Sequence, residues 1–161
     1  MCCRVVGIAL LGLPKMHNDK SSSTAATSRV LPFPIQKVWS AFSNPASLAK
    51  WWGPSGFTNT FERFEFKTGG EWQFVMHGPD GTNYPNTNVF QTIDEPRKMV
   101  IRHVVQPLFT LTVVLAEKAN ETELTWTQAF DSPDTYAAIR HIIEPANEQN
   151  LDRLSAVLAA A

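Results

Sequence analysis

Cysteine is nearly missing from this 161-residue chain, which has only the adjacent pair Cys2 and Cys3. Neighbouring cysteines rarely bridge each other and no third thiol exists, so a body without disulfides is expected, as in a reducing cytoplasm. Charge of one sign is missing too. Fourteen Lys and Arg stand against fifteen Asp and Glu, a formal net charge of −1. Nucleic acid and anionic membranes need a concentrated positive face, so neither is an expected partner. Long apolar runs are also lacking. Val5 to Leu13 is far shorter than the ~20 residues of a membrane-spanning helix. Arg4 before it suggests a signal-peptide core, but Pro14-Lys15-Met16-His17 follows in place of a small-residue cleavage pattern. Met16 is a candidate natural start. The expectation is a cytoplasmic protein without a membrane span. Residues 1–24 are expected to form a flexible extension through Ser21-Ser22-Ser23-Thr24, and residues 25–161 one domain.

Several chemistries lack their residues. There is no Gly-x-Ser-x-Gly and no thiol in the body to act as a nucleophile. Thr68-Gly69-Gly70 reads as a turn, not as a phosphate-binding loop. No His has a second His four residues on or a nearby Cys, so neither a metal nor a cofactor is expected.

What the chain has is aromatic mass, with ten Phe and five Trp. Two of the tryptophans stand together in Ser47-Leu48-Ala49-Lys50-Trp51-Trp52-Gly53-Pro54. Each indole carries ~150–250 Å² of mostly apolar surface and one N–H that wants an acceptor. A short helix ending in two such rings, stopped by Gly-Pro, reads as a plug against something concave.

In chain order, Val30, Leu31 and Phe33 make an edge strand limited by Pro32 and Pro34. Ile35, Val38, Trp39 and Phe42 fall at helical spacing over residues 35–43, and a second short helix covers 46–51. From Phe57 to Phe130 the pattern alternates in strands. A one-residue slip between Phe61 and Phe64 predicts a bulge near Glu62-Arg63. Gly78-Pro79-Asp80-Gly81 is a hairpin turn, and Pro85 interrupts the return strand. The stretch after Ser132-Pro133-Asp134 is a helix over 133–160, with Ser132 as its cap. Ile139, Ile142, Ile143, Ala146, Asn150, Leu151, Leu154 and Leu158 form one stripe, with a bend expected near Glu144-Pro145.

Strand, two short helices, six antiparallel strands and a long helix make an α+β chain. Only the long amphipathic helix is large enough to cover the sheet. A twisted sheet gripping one helix leaves a cavity with apolar walls between them, closed at one end by the short helices.

This order, with Pro34-x-x-x-Val38-Trp39-x-Ala41-Phe42, Trp51-Trp52-Gly53-Pro54, Gly69-Gly70-Glu71-Trp72, His77-Gly78-Pro79-Asp80-Gly81 and Asn150-Leu151-Asp152-Arg153-Leu154, resembles the SRPBCC (START-like) superfamily. More closely it is similar to the bacterial AHSA-type branch, named after a eukaryotic activator of a heat-shock chaperone ATPase. The resemblance covers about residues 27–160. It implies a helix-grip fold, a seven-stranded antiparallel sheet wrapped around the C-terminal helix, with an internal cavity. It does not imply one activity, since members include lipid carriers, hormone receptors and aromatase/cyclases. Relatives of this kind often pair, so a homodimer is within what the resemblance implies. Many carry Gly-Trp where this chain has Asn147-Glu148-Gln149, which makes the helix face toward the cavity more polar here.

Three functions follow as expectations. The first is binding of a small hydrophobic or aromatic molecule, with Trp51, Trp52, Phe74, Arg102, Trp126 and Ile143 as ligand-binding residues. The second is a cyclase- or dehydratase-like enzyme, whose catalytic residues the sequence does not single out. It would need His, Glu, Arg or Tyr aimed into the cavity. His77 reads as a strand-end residue and His103 as a buried or rim one. His141 can face either way. Glu62, Glu65 and Glu71 are strand-surface charges unless the bulge tips Glu62 or Glu65 inward, which would raise its pKa and give Arg102 a partner. The third function is regulation of a chaperone partner through an outer surface.

Overall fold

The computed structural model describes residues 23–161. Almost all of the expected extension, residues 1–24, lies outside the described residues. The strands are β1 (Thr24–Leu31), β2 (Thr58–Phe64), β3 (Glu71–His77), β4 (Asn83–Asp94), β5 (Lys98–His103), β6 (Phe109–Lys118) and β7 (Glu121–Phe130). Helices α1 (Ile35–Ser43) and α2 (Pro45–Trp51) lie between β1 and β2, and α3 (Pro133–Ala160) follows the last strand. All seven strands form one antiparallel sheet in the order β1-β7-β6-β5-β4-β3-β2. Strands β2 to β7 are a meander, and β1 returns to pair with β7. This is the expected helix-grip α+β architecture.

The bulge falls where the hydrophobic slip places it. Register shifts between Phe61 and Arg63, so Phe61 lies opposite Phe74 and Phe64 opposite Trp72. Three residues apart, the two Phe would otherwise face opposite sides of the sheet. With the extra residue their rings stack 5.6 Å apart on one face.

One expectation needs correction. Pro85 does not interrupt its strand, since β4 runs through it with Pro85 opposite Val75. Strand β5 ends at His103, opposite Asn88, so Pro85 stands at a locally open edge where a residue without N–H is accepted. Helix α3 covers residues 133–160 as expected, with Pro145 inside it. The proline removes one main-chain bond, and side-chain ties on both sides of it hold the helix: Tyr136 to Glu144 before it, and Arg29 of β1 to Glu148 and Asp152 after it. Ser132 caps α3 as expected, its hydroxyl accepting from Thr135 N–H. One member of the predicted stripe, Ile142, is 59% exposed, because the helical period places it on the side of α3 away from the buried Tyr136, Asn147 and Leu151.

The inner face of the sheet carries two apolar clusters. The larger lies under α1, α2 and the second half of α3. It joins Leu31, Trp39, Phe42, Trp51, Trp52 and Trp72 to Trp126, Leu151 and Leu154. The smaller groups Ala25, Phe130 and Tyr136 with Phe109, Ile139 and Ile143 at the start of α3. Buried polar side chains separate them. Asn147 of α3 donates to Gln128 of β7 at 3.0 Å, and Gln128 stands between Trp126 and Phe130 on that strand's inner face.

Candidate functional site

The Trp-Trp-Gly-Pro turn is anchored to α3 by three side chains. Gly53 N–H donates to Asn150 Oδ1 at 2.9 Å, and Ser55 N–H to Gln149 Oε1 at 3.2 Å. The Arg153 guanidinium donates to the carbonyls of Lys50, Trp52, Gly53, Pro54 and Phe57 at 2.8–3.2 Å. Gly53 has φ +98°, and a Cβ there would lie 2.7 Å from Met76 Cε. The positive φ favours glycine, whereas the Met76 methyl is the end of a flexible side chain and can shift.

This anchored turn sets the two tryptophans in different surroundings. Trp51 is fully buried, and its Nε1–H donates to the Ala41 carbonyl at 2.9 Å. Trp52 lies between Trp72 (ring centroids 4.9 Å) and Trp126 (5.6 Å). Trp72 in turn stacks on Phe74 at 4.3 Å. Side chains thus fill the space behind the short helices. The structure brings Trp51, Trp52, Phe74 and Trp126 into one aromatic cluster. Ile143 packs with the smaller cluster at the other end. Arg102 is apart from both: Ile101 and His103 point inward, so Arg102 points outward, where both its terminal nitrogens donate to Asp131 at 2.6–2.7 Å.

The open space lies elsewhere between sheet and helix. A groove of about 600 Å³ runs between residues 24–27 of β1 and the first half of α3, lined by Tyr136, Arg140, His141, Glu144, Asn147 and Glu148 on the helix side. Its chemistry is mixed. Tyr136, 2% exposed, stacks on Phe130 at 5.4 Å and donates its hydroxyl to Glu144 at 2.7 Å. Burial holds the Tyr136 hydroxyl above its ordinary pKa, and the bond to Glu144 adds to this. Accepting that bond holds the Glu144 carboxyl below its ordinary value. Arg140 lies over the Tyr136 ring and pairs with Glu144 at 2.9 Å. Glu148 at the far end is held by Arg29. Sequence periodicity missed Tyr136, which lies just before the apolar stripe, and Asn147, which it gave no partner.

The remaining candidates are placed as follows. Glu65 points outward and accepts from Arg63, which holds its carboxyl below the ordinary value. That is the opposite of the rise expected had the bulge tipped it inward. Glu71 shares Arg63, and Glu62 is exposed. His77 bridges Thr60 and Asn83 on the outer face. His141 lines the groove. His103 is buried, stacked on Phe109 at 4.5 Å, with Nδ1 2.8 Å from Asn88 Oδ1. The oxygen can only accept, so Nδ1 carries the proton and Nε2 keeps its lone pair.

Burial, with a smaller contribution from Arg102, pushes His103 down to about 4 from an ordinary 6.5. Below 6.5 the unfolded chain takes a proton that the folded chain refuses, so His103 makes stability fall as pH drops through the window from 6.5 to about 4. Its share should be about 2 kcal/mol after allowance for solvent. Urea unfolding at several pH values in that window should show a shallower slope for His103→Gln than for the native chain; equal slopes would refute the assignment.

Comparison with known proteins agrees with this architecture. A family model described as Activator of Hsp90 ATPase homolog 1-like protein matches residues 32–159. No curated protein matches the chain. Among solved structures, a protein from Arthrobacter aurescens superposes with a TM-score of 0.81 at 24% identity, over 90% of this chain and 91% of its own. A protein from Nitrosomonas europaea gives 0.79 at 19%, over 87% and 96%. An AHSA1-like protein from Aeromonas hydrophila gives 0.65 at 20%, over 84% and 93%. At these identities the likeness is one of fold.

Proposed function

Because the chain belongs to the Activator of Hsp90 ATPase homolog 1-like family, we propose that it binds a small organic molecule between its sheet and its C-terminal helix. The groove beside β1 supports this reading. Its volume of about 600 Å³ is in the range of small-molecule sites, roughly 300–1,000 Å³. Its lining asks for an amphipathic ligand more than a purely apolar one. A ring or short chain lies on Tyr136 and Ala25, and a polar group meets Arg140, Glu144 and Asn147. Arg140 lies over the Tyr136 ring and on Glu144 at once; turned aside, it uncovers the ring and meets an anionic or carbonyl oxygen. Cytoplasmic residence is part of the same proposal, consistent with a body free of cysteine.

Calorimetric titration with a panel of amphipathic aromatic and aliphatic molecules tests it. At least one should bind, with affinity reduced about tenfold or more in Tyr136→Ala and Asn147→Leu. A panel without binders, or binding indifferent to both substitutions, would sink the reading.

A further inference from the structure

Among the described residues three buried side-chain atoms lack a hydrogen-bond partner: Trp72 Nε1, Trp126 Nε1 and Asn59 Oδ1. They are not scattered. Trp72 and Trp126 are two of the three indoles packed on Trp52, the third being Trp51. The Asn59 amide nitrogen donates to the Trp52 carbonyl at 2.8 Å, which leaves its oxygen beside the same residue. Native interiors rarely leave such atoms unpaired, and each calls for an explanation. Trp51 in the same cluster has its acceptor, so aromatic crowding alone does not account for the pattern.

We propose a second binding position, closed in this structure, in the space that the Trp52 ring occupies, selective for flat molecules with a carbonyl acceptor. Trp52 is the movable member of the cluster. It is 8% exposed, against 0% for Trp51 and Trp72 and 2% for Trp126. Its main chain is fixed: the N–H donates to Leu48, and the carbonyl accepts from Asn59 and Arg153. Displacement therefore falls on the side-chain torsions alone. When the ring swings out it vacates a ring-sized slot bordered by Trp72, which it meets edge-on at 66°, and by Trp126, tilted at 39°. A carbonyl oxygen entering the slot accepts from one or both indole N–H groups, and a donor on the ligand meets Asn59 Oδ1. A hydrocarbon of the same shape fills the slot and leaves both donors unpaired, which is the basis of selectivity. This position is separate from the groove and does not depend on it.

The test uses the full chain labelled with 5-fluorotryptophan, its five resonances assigned by single Trp→Phe variants, and the matched probes 1-indanone and indane. The ketone should shift the signals of Trp52, Trp72 and Trp126, leave Trp39 unmoved, and bind about tenfold or more tightly than indane. Trp126→Phe and Trp72→Phe should each cut that preference, since each removes a donor and keeps a ring. If one variant fails to fold, the other carries the comparison. Trp52→Ala, with the slot permanently open, should bind the ketone more tightly than the native chain. Equal affinity for the two probes, no shift at saturating ketone, or a preference unchanged in the Trp→Phe variants overturns the proposal. Binding that responds to Asn147→Leu and not to the Trp variants places the probe in the groove, which overturns this inference and leaves the groove reading standing.

Discussion

Replacing Arg153 with Met should lower stability by about 3 kcal/mol and the melting temperature by roughly 6–12 °C. The size follows from what the guanidinium holds. It donates to five main-chain carbonyls, three of them belonging to the Trp-Trp-Gly-Pro turn. Helix α2 ends there, and its last carbonyls have no helical partner. Leu48 O accepts the last helical bond, from Trp52 N–H, while Ala49 O is taken by Asn59 and Lys50 O by Arg153. A cation at the carbonyl end of a helix is also favoured by the helix dipole. Among the described residues no carboxylate pairs with this guanidinium, and burial draws its pKa below the ordinary value. Its role is thus to satisfy neutral oxygens, which Met cannot do at similar length. Arg153→Lys should recover less than half of the loss. One ammonium group has three N–H bonds at a single point, whereas the acceptors are spread over two guanidinium nitrogens. Urea unfolding of the three proteins decides the matter, and a loss under about 1 kcal/mol for Arg153→Met would mean that water replaces the guanidinium.

Arg153 also marks where sequence reading stops. The alternation of Trp72, Phe74 and Met76, the slip at Phe61–Phe64 and the spacing of Ile35, Val38, Trp39 and Phe42 are local signals. Each landed on its element because side-chain period follows backbone geometry. The partners of Arg153 lie about a hundred positions back along the chain, and a lone Arg on a helix carries no trace of them. The same holds for Asn147 with Gln128. Arg102 was a matter of parity. Strand β5 has apolar residues on both faces, which hid the alternation that turns Arg102 outward once Ile101 and His103 turn inward. The interior was a matter of volume. An aromatic-rich inner face is compatible with a lined cavity or with rings that fill it, and only packing distinguishes the two. The rings fill the region behind Trp52, and the open groove lies at β1, where the first half of α3 stands away from the sheet.

Trp51→Ala should be the most damaging single change in the aromatic cluster, costing about 3–5 kcal/mol. The side chain is fully buried, meets Phe42 edge-on at 4.9 Å and Trp52 at 5.6 Å, and leaves a void that the anchored turn cannot collapse to fill. The more informative comparison is with phenylalanine. The Ala41 carbonyl would normally accept from the N–H four residues on, but that residue is Pro45, which has none. The Trp51 indole supplies the missing donor at 2.9 Å. Trp51→Phe therefore loses ring surface and also strands a buried carbonyl, whereas Trp72→Phe loses similar surface and removes a donor that had no acceptor. Trp51→Phe should be the costlier by about 1–2 kcal/mol. Equilibrium unfolding of the two variants measures that difference directly. Equal losses would show that ring packing alone sets the worth of these indoles, and a larger loss for Trp72→Phe would show that its N–H does have an acceptor in solution.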